Sequence, residues 1–189
     1  MRRSDLEHLI RAAGDIADDD ELIVIGSQAI LAQYPDAPAL LVVSMEADLW
    51  PRNHPERADL VDGCIGEGSP FHEAYGYYAQ GVGPQTARLP SGWQKRLVPI
   101  RNANTRNVTG WCLEAHDLAL SKYVAGRRKD LDYTRAMAAA GLLERKTLAD
   151  RLPAMDLDEG HARLVAGRID RDFAQARTPT PKRKPRARP

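Results

Sequence analysis

The chain has 189 residues, 43% hydrophobic and 28% charged, with a formal net charge of +1. That balance is typical of a soluble globular protein, and no apolar stretch approaches the roughly 20 residues that cross a bilayer. Met1-Arg2-Arg3-Ser4 leads into no apolar core, so no signal peptide is expected, and the expected location is cytoplasmic with no membrane partner.

The charge is unevenly spread. Residues 177–189 hold six of the 27 basic residues and no acid, which leaves 21 basic against 26 acidic residues in 1–176, a net of −5. With four prolines and no large apolar residue, this tail is expected to be a disordered basic arm suited to phosphate backbones, or simply a solubilising segment. Cys64 and Cys112 stand outside any CxxC pattern, which predicts idle or buried thiols, with no disulfide or zinc site. The five histidines, at 8, 54, 72, 116 and 161, lack ligand spacing and take ordinary polar roles.

In chain order, Leu6, Leu9, Ile10, Ala13 and Ile16 predict a helix over 4–17, with Ser4 as N-cap and Glu7 three residues on. Leu22-Ile23-Val24-Ile25 predicts a buried strand. Gly26-Ser27 ends it, and a helix over 28–33 follows. Residues 40–50 predict a second extended segment closed by Pro51, and 55–61 a short helix before a glycine-rich loop through Gly63, Gly66 and Gly68. Segments 75–89 and 95–100 predict two antiparallel strands joined through Leu89-Pro90-Ser91-Gly92. From Leu113 to about Phe173 the pattern is helical, with breaks expected at 127–130, Gly141 and Pro153. This order describes an α/β (α+β) protein with a small mixed sheet flanked by helices: a core over 1–112, a helical part over 113–176 packed on it, and the tail 177–189.

The candidate chemistry lies in three segments. In a strand, residues two apart share a face, so Ser44, Glu46 and Asp48 would line one side while Met45, Ala47 and Leu49 pack behind. Two carboxylates in that arrangement suit Mg²⁺ (or Mn²⁺), which prefers oxygen ligands and is commonly shared with substrate phosphates. Gly26 would let the backbone approach a phosphate, and Ser27 would donate to it at the start of the next helix, unless Ser27 serves only as an N-cap. Further on, Lys122, Gly126 and Lys129 would fall on one helix face, a basic counterpart to the acids, with Arg127 and Arg128 in the same cluster. Alternatively Arg127 and Arg128 are solvated and Asp130 pairs with Arg127.

The aromatic run Pro70-Phe71-His72-Glu73-Ala74-Tyr75-Gly76-Tyr77-Tyr78 would either stack a base or pack as core and strand, with His72-Glu73 a weak acid/base candidate. Trp93 and Trp111 read as packing, and His116-Asp117 as a helix start.

Together, Gly26, Ser27, Glu46 and Asp48, followed by Lys122, Arg127, Arg128, Lys129 and Asp130, resemble the nucleotidyltransferase fold, with likeness to the bacterial group around the AbiEii and MenT toxins over most of residues 5–150. The resemblance implies an enzyme that moves an NMP from an NTP to an acceptor hydroxyl and releases pyrophosphate. Glu46 and Asp48 would hold the metal and Lys122 the triphosphate, with Gly26, Ser27, Arg127 and Lys129 around the nucleotide. Asp130 would be the late acid near the metal or the acceptor. It also implies RNA, such as the 3′ end of a tRNA, as acceptor, with the basic tail compatible with it, and a cognate antitoxin as partner. Two positions depart from the pattern. Glu46 stands where aspartate is usual, and 76–80 and 97–100 carry no third carboxylate, which Asp130, Asp132 or Glu73 would have to supply. The rival reading is a catalytically silent module of this fold that binds nucleic acid or a protein.

Overall fold

Helix α1 (Arg3–Ala17) is held by an apolar stripe: Leu6, Leu9, Ile10 and Ala13 are fully buried, and Ala17 completes the stripe beside a partly buried Ile16. Each large side chain contributes roughly 2 kcal/mol through the surface it removes from water. The helix begins two residues earlier than a Ser4 cap would place it, because Arg2 is the N-cap and its backbone N–H donates to Asp5 Oδ2 at 2.7 Å. Glu7 is not a capping partner. It pairs with Arg3 at 3.0 Å and accepts from Asn102 and Asn104 at 2.9 and 2.8 Å, tying the 102–105 turn to α1. The computed structural model describes residues 1–176, and the tail 177–189 lies outside the described residues.

Five strands form a mixed sheet in the order β3-β2-β1-β5-β4. β1 (Glu21–Val24) is central, antiparallel to β2 (Glu46–Pro51) and parallel to β5 (Thr109–Cys112). β3 (Tyr78–Gly81) runs parallel to β2 at one edge, and β4 (Val98–Ile100) antiparallel to β5 at the other. α1 and α2 (Ala58–Ile65) pack on β2 and β3, and α1 also reaches β5. Gly110 lets α1 sit that close, since a β-carbon there would run into Ile10.

Several local expectations are corrected by this topology. The hairpin across 75–100 does not form: its two halves lie at opposite edges of the sheet, because β3 finds β2 and β4 finds β5. Residues 39–41 form a 3₁₀ turn, so the second extended segment begins only at Glu46. The glycine-rich loop is shorter than its spacing suggests, with Gly63 inside α2 and Gly66 capping it. A further helix, α3 (Pro70–Tyr75), starts at Ser69, whose Oγ accepts the His72 N–H at 3.1 Å. Segment Ser27–Ala32 is 3₁₀ rather than α. Pro35 disfavours helical backbone at Tyr34 and leaves too little chain for two α-turns.

The C-terminal half is helical as expected: α4 (Ala115–Ala125), α5 (Arg128–Ala139), α6 (Arg145–Arg151) and α7 (Glu159–Ala176). α4, α5 and α7 pack on one another around Asp172, whose Oδ2 accepts from Tyr123 and Thr134 at 2.9 and 3.0 Å. Gly141 takes positive φ after α5, and Pro153 sits in a 3₁₀ turn. The first break is sharper than expected. Gly126 caps α4 in the left-handed region, φ +64°, with the Arg168 guanidinium standing where a β-carbon would be. Lys122 and Lys129 are therefore on two helices, not on one face of a single helix.

Trp93 packs edge-on against Trp50 at 6.5 Å between ring centroids, and Trp111 donates to Glu21 at 3.1 Å. Cys64 is exposed and Cys112 buried, and both are free. No helix among the described residues is long and apolar enough to cross a membrane.

Candidate active site

An open cleft of about 1400 Å³ lies over the exposed-facing side of β2, beside the end of β1, and is walled on the other side by α4 and α5. Strand alternation builds its floor: Ala47 and Leu49 are fully buried in the core, so Glu46 and Asp48 face the cleft. Ser44 Oγ accepts the Glu46 N–H at 3.1 Å and fixes the strand's start. The Ile25 N–H donates to the Asp48 carbonyl at 3.0 Å, which sets the end of β1 beside the acid pair.

Gly26 follows, and its place in the site is steric. Its backbone is extended, φ −71° and ψ −173°, a conformation open to any residue. A β-carbon there, however, would overlap Asp48 Oδ2. The carboxylate thus occupies the space that the glycine leaves. Ser27 lines the cleft but begins a six-residue 3₁₀ segment, so the α-helix dipole expected behind it is absent.

Asp48 is pushed up to about 7, first by burial and then by Glu46, which shares a hydrogen bond and like charge with it, while Lys122 and Lys129 pull the other way. Burial and a neighbouring like charge both favour the neutral form of this carboxyl group. Lys122, from the last turn of α4, directs Nζ at Asp130 Oδ1 (3.5 Å) and over the Tyr133 ring (4.5 Å to the centroid). Burial lowers its affinity for the proton, against the pull of Asp130 and Asp48. Asp130 itself is 1% exposed and takes Arg127 Nε at 2.6 Å. Burial opposes its charge, but Arg127 and Lys122 outweigh that cost and hold it below the usual carboxylate range. Gly26, Ser27, Glu46, Asp48, Lys122, Arg127, Lys129 and Asp130 line this one cleft, whereas Arg128, expected in the same cluster, is exposed and absent from the lining.

The family described as nucleotidyltransferase of unknown function (DUF6036) matches residues 4–163. The chain belongs to this family. No curated protein and no solved structure matches it. The nucleotidyltransferase description is consistent with the five-stranded mixed sheet and its helices.

In this family member the acids are arranged unequally. Among the described residues no group of three or more His, Cys, Asp or Glu side chains is placed to hold a metal ion, and Glu46 and Asp48 stand in the cleft as a pair. The neighbouring strand carries neutral side chains beside them. Tyr78 pairs with Glu46 in register and donates to its Oε2 at 3.4 Å, and Gln80 pairs with Asp48 and lines the cleft. The expected third carboxylates do not join the pair: Asp130 is bound by two cations, Asp132 bonds Arg135 at 3.0 Å, and Glu73 lies on α3 outside the cleft lining.

His72 is also absent from the lining, and its Nδ1 accepts the Gly68 N–H. Phe71, Tyr75 and Tyr77 cluster with His8 of α1, which is packing rather than a platform in the cleft. The sequence takes Tyr78 only as part of an aromatic run that stacks a base or packs, and Gln80, Tyr133, Asp158 and His161 are not expected at the site. For Tyr78 and Gln80 the signal is the register of β3 on β2, which no local pattern reveals.

Gly26→Ala isolates the steric role of this position. Its backbone angles suit alanine, so the melting temperature should stay within a few degrees, while the added β-carbon displaces the Asp48 carboxylate. A misplacement on the scale of an ångström is expected to lower turnover by about a hundredfold. Thermal melts and transfer assays on the same preparation check this, and full activity would contradict it.

Proposed function

We propose that this protein is a metal-dependent nucleotidyltransferase that moves an NMP from an NTP to an acceptor hydroxyl. The observation that carries the reading is the convergence, in one cleft, of Gly26-Ser27, the Glu46/Asp48 pair seated against Gly26, and the cations Lys122, Arg127 and Lys129 from three separate segments. The donor chemistry suits Mg²⁺ or Mn²⁺, because two carboxyl groups on one face of a strand, lining one cleft, favour positive charge between them. Glu46 and Asp48 would hold the ion, which when bound would neutralise phosphate charge and polarise the reacting phosphoryl group. Lys122 holds the triphosphate as a point charge, kept in place by Asp130 and the Tyr133 ring. Arg127 and Lys129 add charge at the same wall, and the Gly26-Ser27 backbone lets phosphate come close. The acceptor hydroxyl loses its proton to solvent, and its oxygen bonds to the α-phosphorus as the α–β bridging P–O bond breaks and pyrophosphate leaves.

RNA, including the 3′ end of a tRNA, is the acceptor this reading favours, held by the basic tail 177–189, since residues 1–176 carry a net −5. The likeness to the AbiEii and MenT group supports a role as the toxin of a toxin–antitoxin pair with a cognate antitoxin. A second reading, a silent module that binds nucleic acid or a partner protein, is favoured by one feature: Gln80 stands beside Asp48 where a third acid would complete the site. Pyrophosphate release from each NTP with Mg²⁺ and total RNA separates them. Release that depends on RNA and is lost in Glu46→Gln supports transfer, and no release with any NTP supports the silent module.

A further inference from the structure

One side chain ties the cleft's separate walls together. Tyr133 projects from α5, and its hydroxyl donates to the Ser27 carbonyl at 2.7 Å, across 106 residues of sequence. The face of the same ring carries the Lys122 ammonium at 4.5 Å from its centroid. Asp130, one turn earlier on α5, takes Lys122 Nζ at 3.5 Å from the side of its Oδ1. Tyr133, Ser27, Lys122 and Asp130 all line the cleft. The turn after β1 thus has its first residue anchored to a helix that is distant in sequence, and the lysine has two supports on that helix.

We propose that Tyr133 is a positioning residue that sets the spacing between the Gly26-Ser27 turn and Lys122, and so the fit of the site to a chain of phosphates. The inference rests on the nucleotidyltransferase reading above. Two physical points carry it. The Ser27 segment is only six residues of 3₁₀ helix, a loosely held element on its own, so a hydrogen bond to its first carbonyl limits how far the turn can move. Lys122 is a flexible side chain with four rotatable carbons, and a buried ammonium over an aromatic face and against a carboxylate has few other places to go. The two functions of the side chain are separable by substitution, since Tyr133→Phe keeps the ring under Lys122 and removes only the bond to Ser27, whereas Tyr133→Leu removes both.

The test measures calorimetric binding of inorganic tripolyphosphate, and of ATP, GTP, CTP and UTP, each with Mg²⁺, to the full chain. Tripolyphosphate reads the phosphate site without needing to know the base. Tyr133→Phe is expected to weaken tripolyphosphate binding about fivefold and Tyr133→Leu about twentyfold. In turnover assays the Phe variant should raise KM for the NTP while leaving kcat within about twofold. Tyr75→Phe, altered at an exposed tyrosine outside the cleft lining, is the control and should bind as the wild type does. If the wild type binds tripolyphosphate and Tyr133→Phe binds it equally well, the positioning role is overturned and the nucleotide site stands, even if the variant melts at a lower temperature. If the wild type binds neither tripolyphosphate nor any NTP, the nucleotide reading falls, and the role of Tyr133 with it.

Discussion

Asp48→Asn is expected to lower NMP transfer by two to three orders of magnitude and, at the same time, to make the protein more stable above pH 7. The first effect follows from removing one of the two carboxylates that the proposed reaction assigns to the metal, where catalysis would be electrostatic. The second follows from the cost of ionising a half-buried acid beside Glu46. The folded-state value of about 7 lies above the ordinary 3.8, so between those values the native protein holds a proton that the unfolded chain has lost. Stability from this group therefore falls as pH rises from about 4 to 7, and asparagine removes that loss.

Because the cleft is open to water, we expect about 2 kcal/mol of the full linkage energy, or roughly 5 °C in melting temperature for a chain of this length. Melts at pH 5 and pH 8 in the presence of a chelator check it. The variant should gain on the wild type most at pH 8 and by about a third as much at pH 5, and a variant less stable at both would contradict this. Greater stability with lost activity is what separates a working acid pair from a structural one.

Asp117→Ala is expected to cost about 3–5 kcal/mol, a large share of the stability of a typical domain, and thermal melts check it. The Asp117 side chain is fully buried and takes Arg96 Nε at 2.7 Å and Arg151 Nη1 at 2.8 Å. Alanine leaves the mostly buried Arg96 guanidinium without its counter-charge and Arg151 with Glu114 alone. Arg151 also bonds Glu114, the N-cap of α4, whose carboxylate accepts the His116 and Asp117 N–H groups.

Burial works against the Glu114 charge, but His116 and Arg151 more than offset it and bring the carboxyl to about 2, below its ordinary 4.5. The sign is opposite to that of Asp48. This stabilisation is present in full above pH 4.5 and is lost as pH falls from there towards 2. Melting temperature should therefore drop steeply between pH 5 and pH 3, and Glu114→Gln should lower it at pH 7 while flattening that drop. The cluster matters to the site because it fixes the N-terminal end of α4, and the last turn of the same helix carries Lys122.

Much of this was legible in the chain, for reasons that are local. The α1 stripe, the continuous apolar run of β1 and the alternation at Glu46 to Leu49 are properties of single segments, and each holds in the fold. The expectation at Gly26 rests on a phosphate approaching its backbone, and the fold adds a reason that the expectation did not contain. That reason is the absent β-carbon under Asp48, which depends on two strands being adjacent. Lys122 and Lys129 reach one cleft although Gly126 breaks the helix between them, because the chain turns there and α5 packs back on α4. Partner choice between strands was not legible. Pro90, Ser91 and Gly92 read locally as a hairpin, and only the competition among β1, β2 and β5 for edges sends β3 and β4 to opposite sides of the sheet. The placement of Tyr78, Gln80 and Tyr133 follows from that competition and from helix docking, so no window of sequence contains it.

The most direct measurement is the fate of the α-phosphate. Wild-type protein and Asp48→Asn are incubated in parallel with Mg²⁺, total RNA and each NTP labelled at either the α or the γ position. The account predicts that α-label from at least one NTP becomes attached to an acceptor by the wild type, that γ-label never does, and that Asp48→Asn transfers neither. Equal α-labelling by wild type and Asp48→Asn, or transfer of the γ-label, would contradict it.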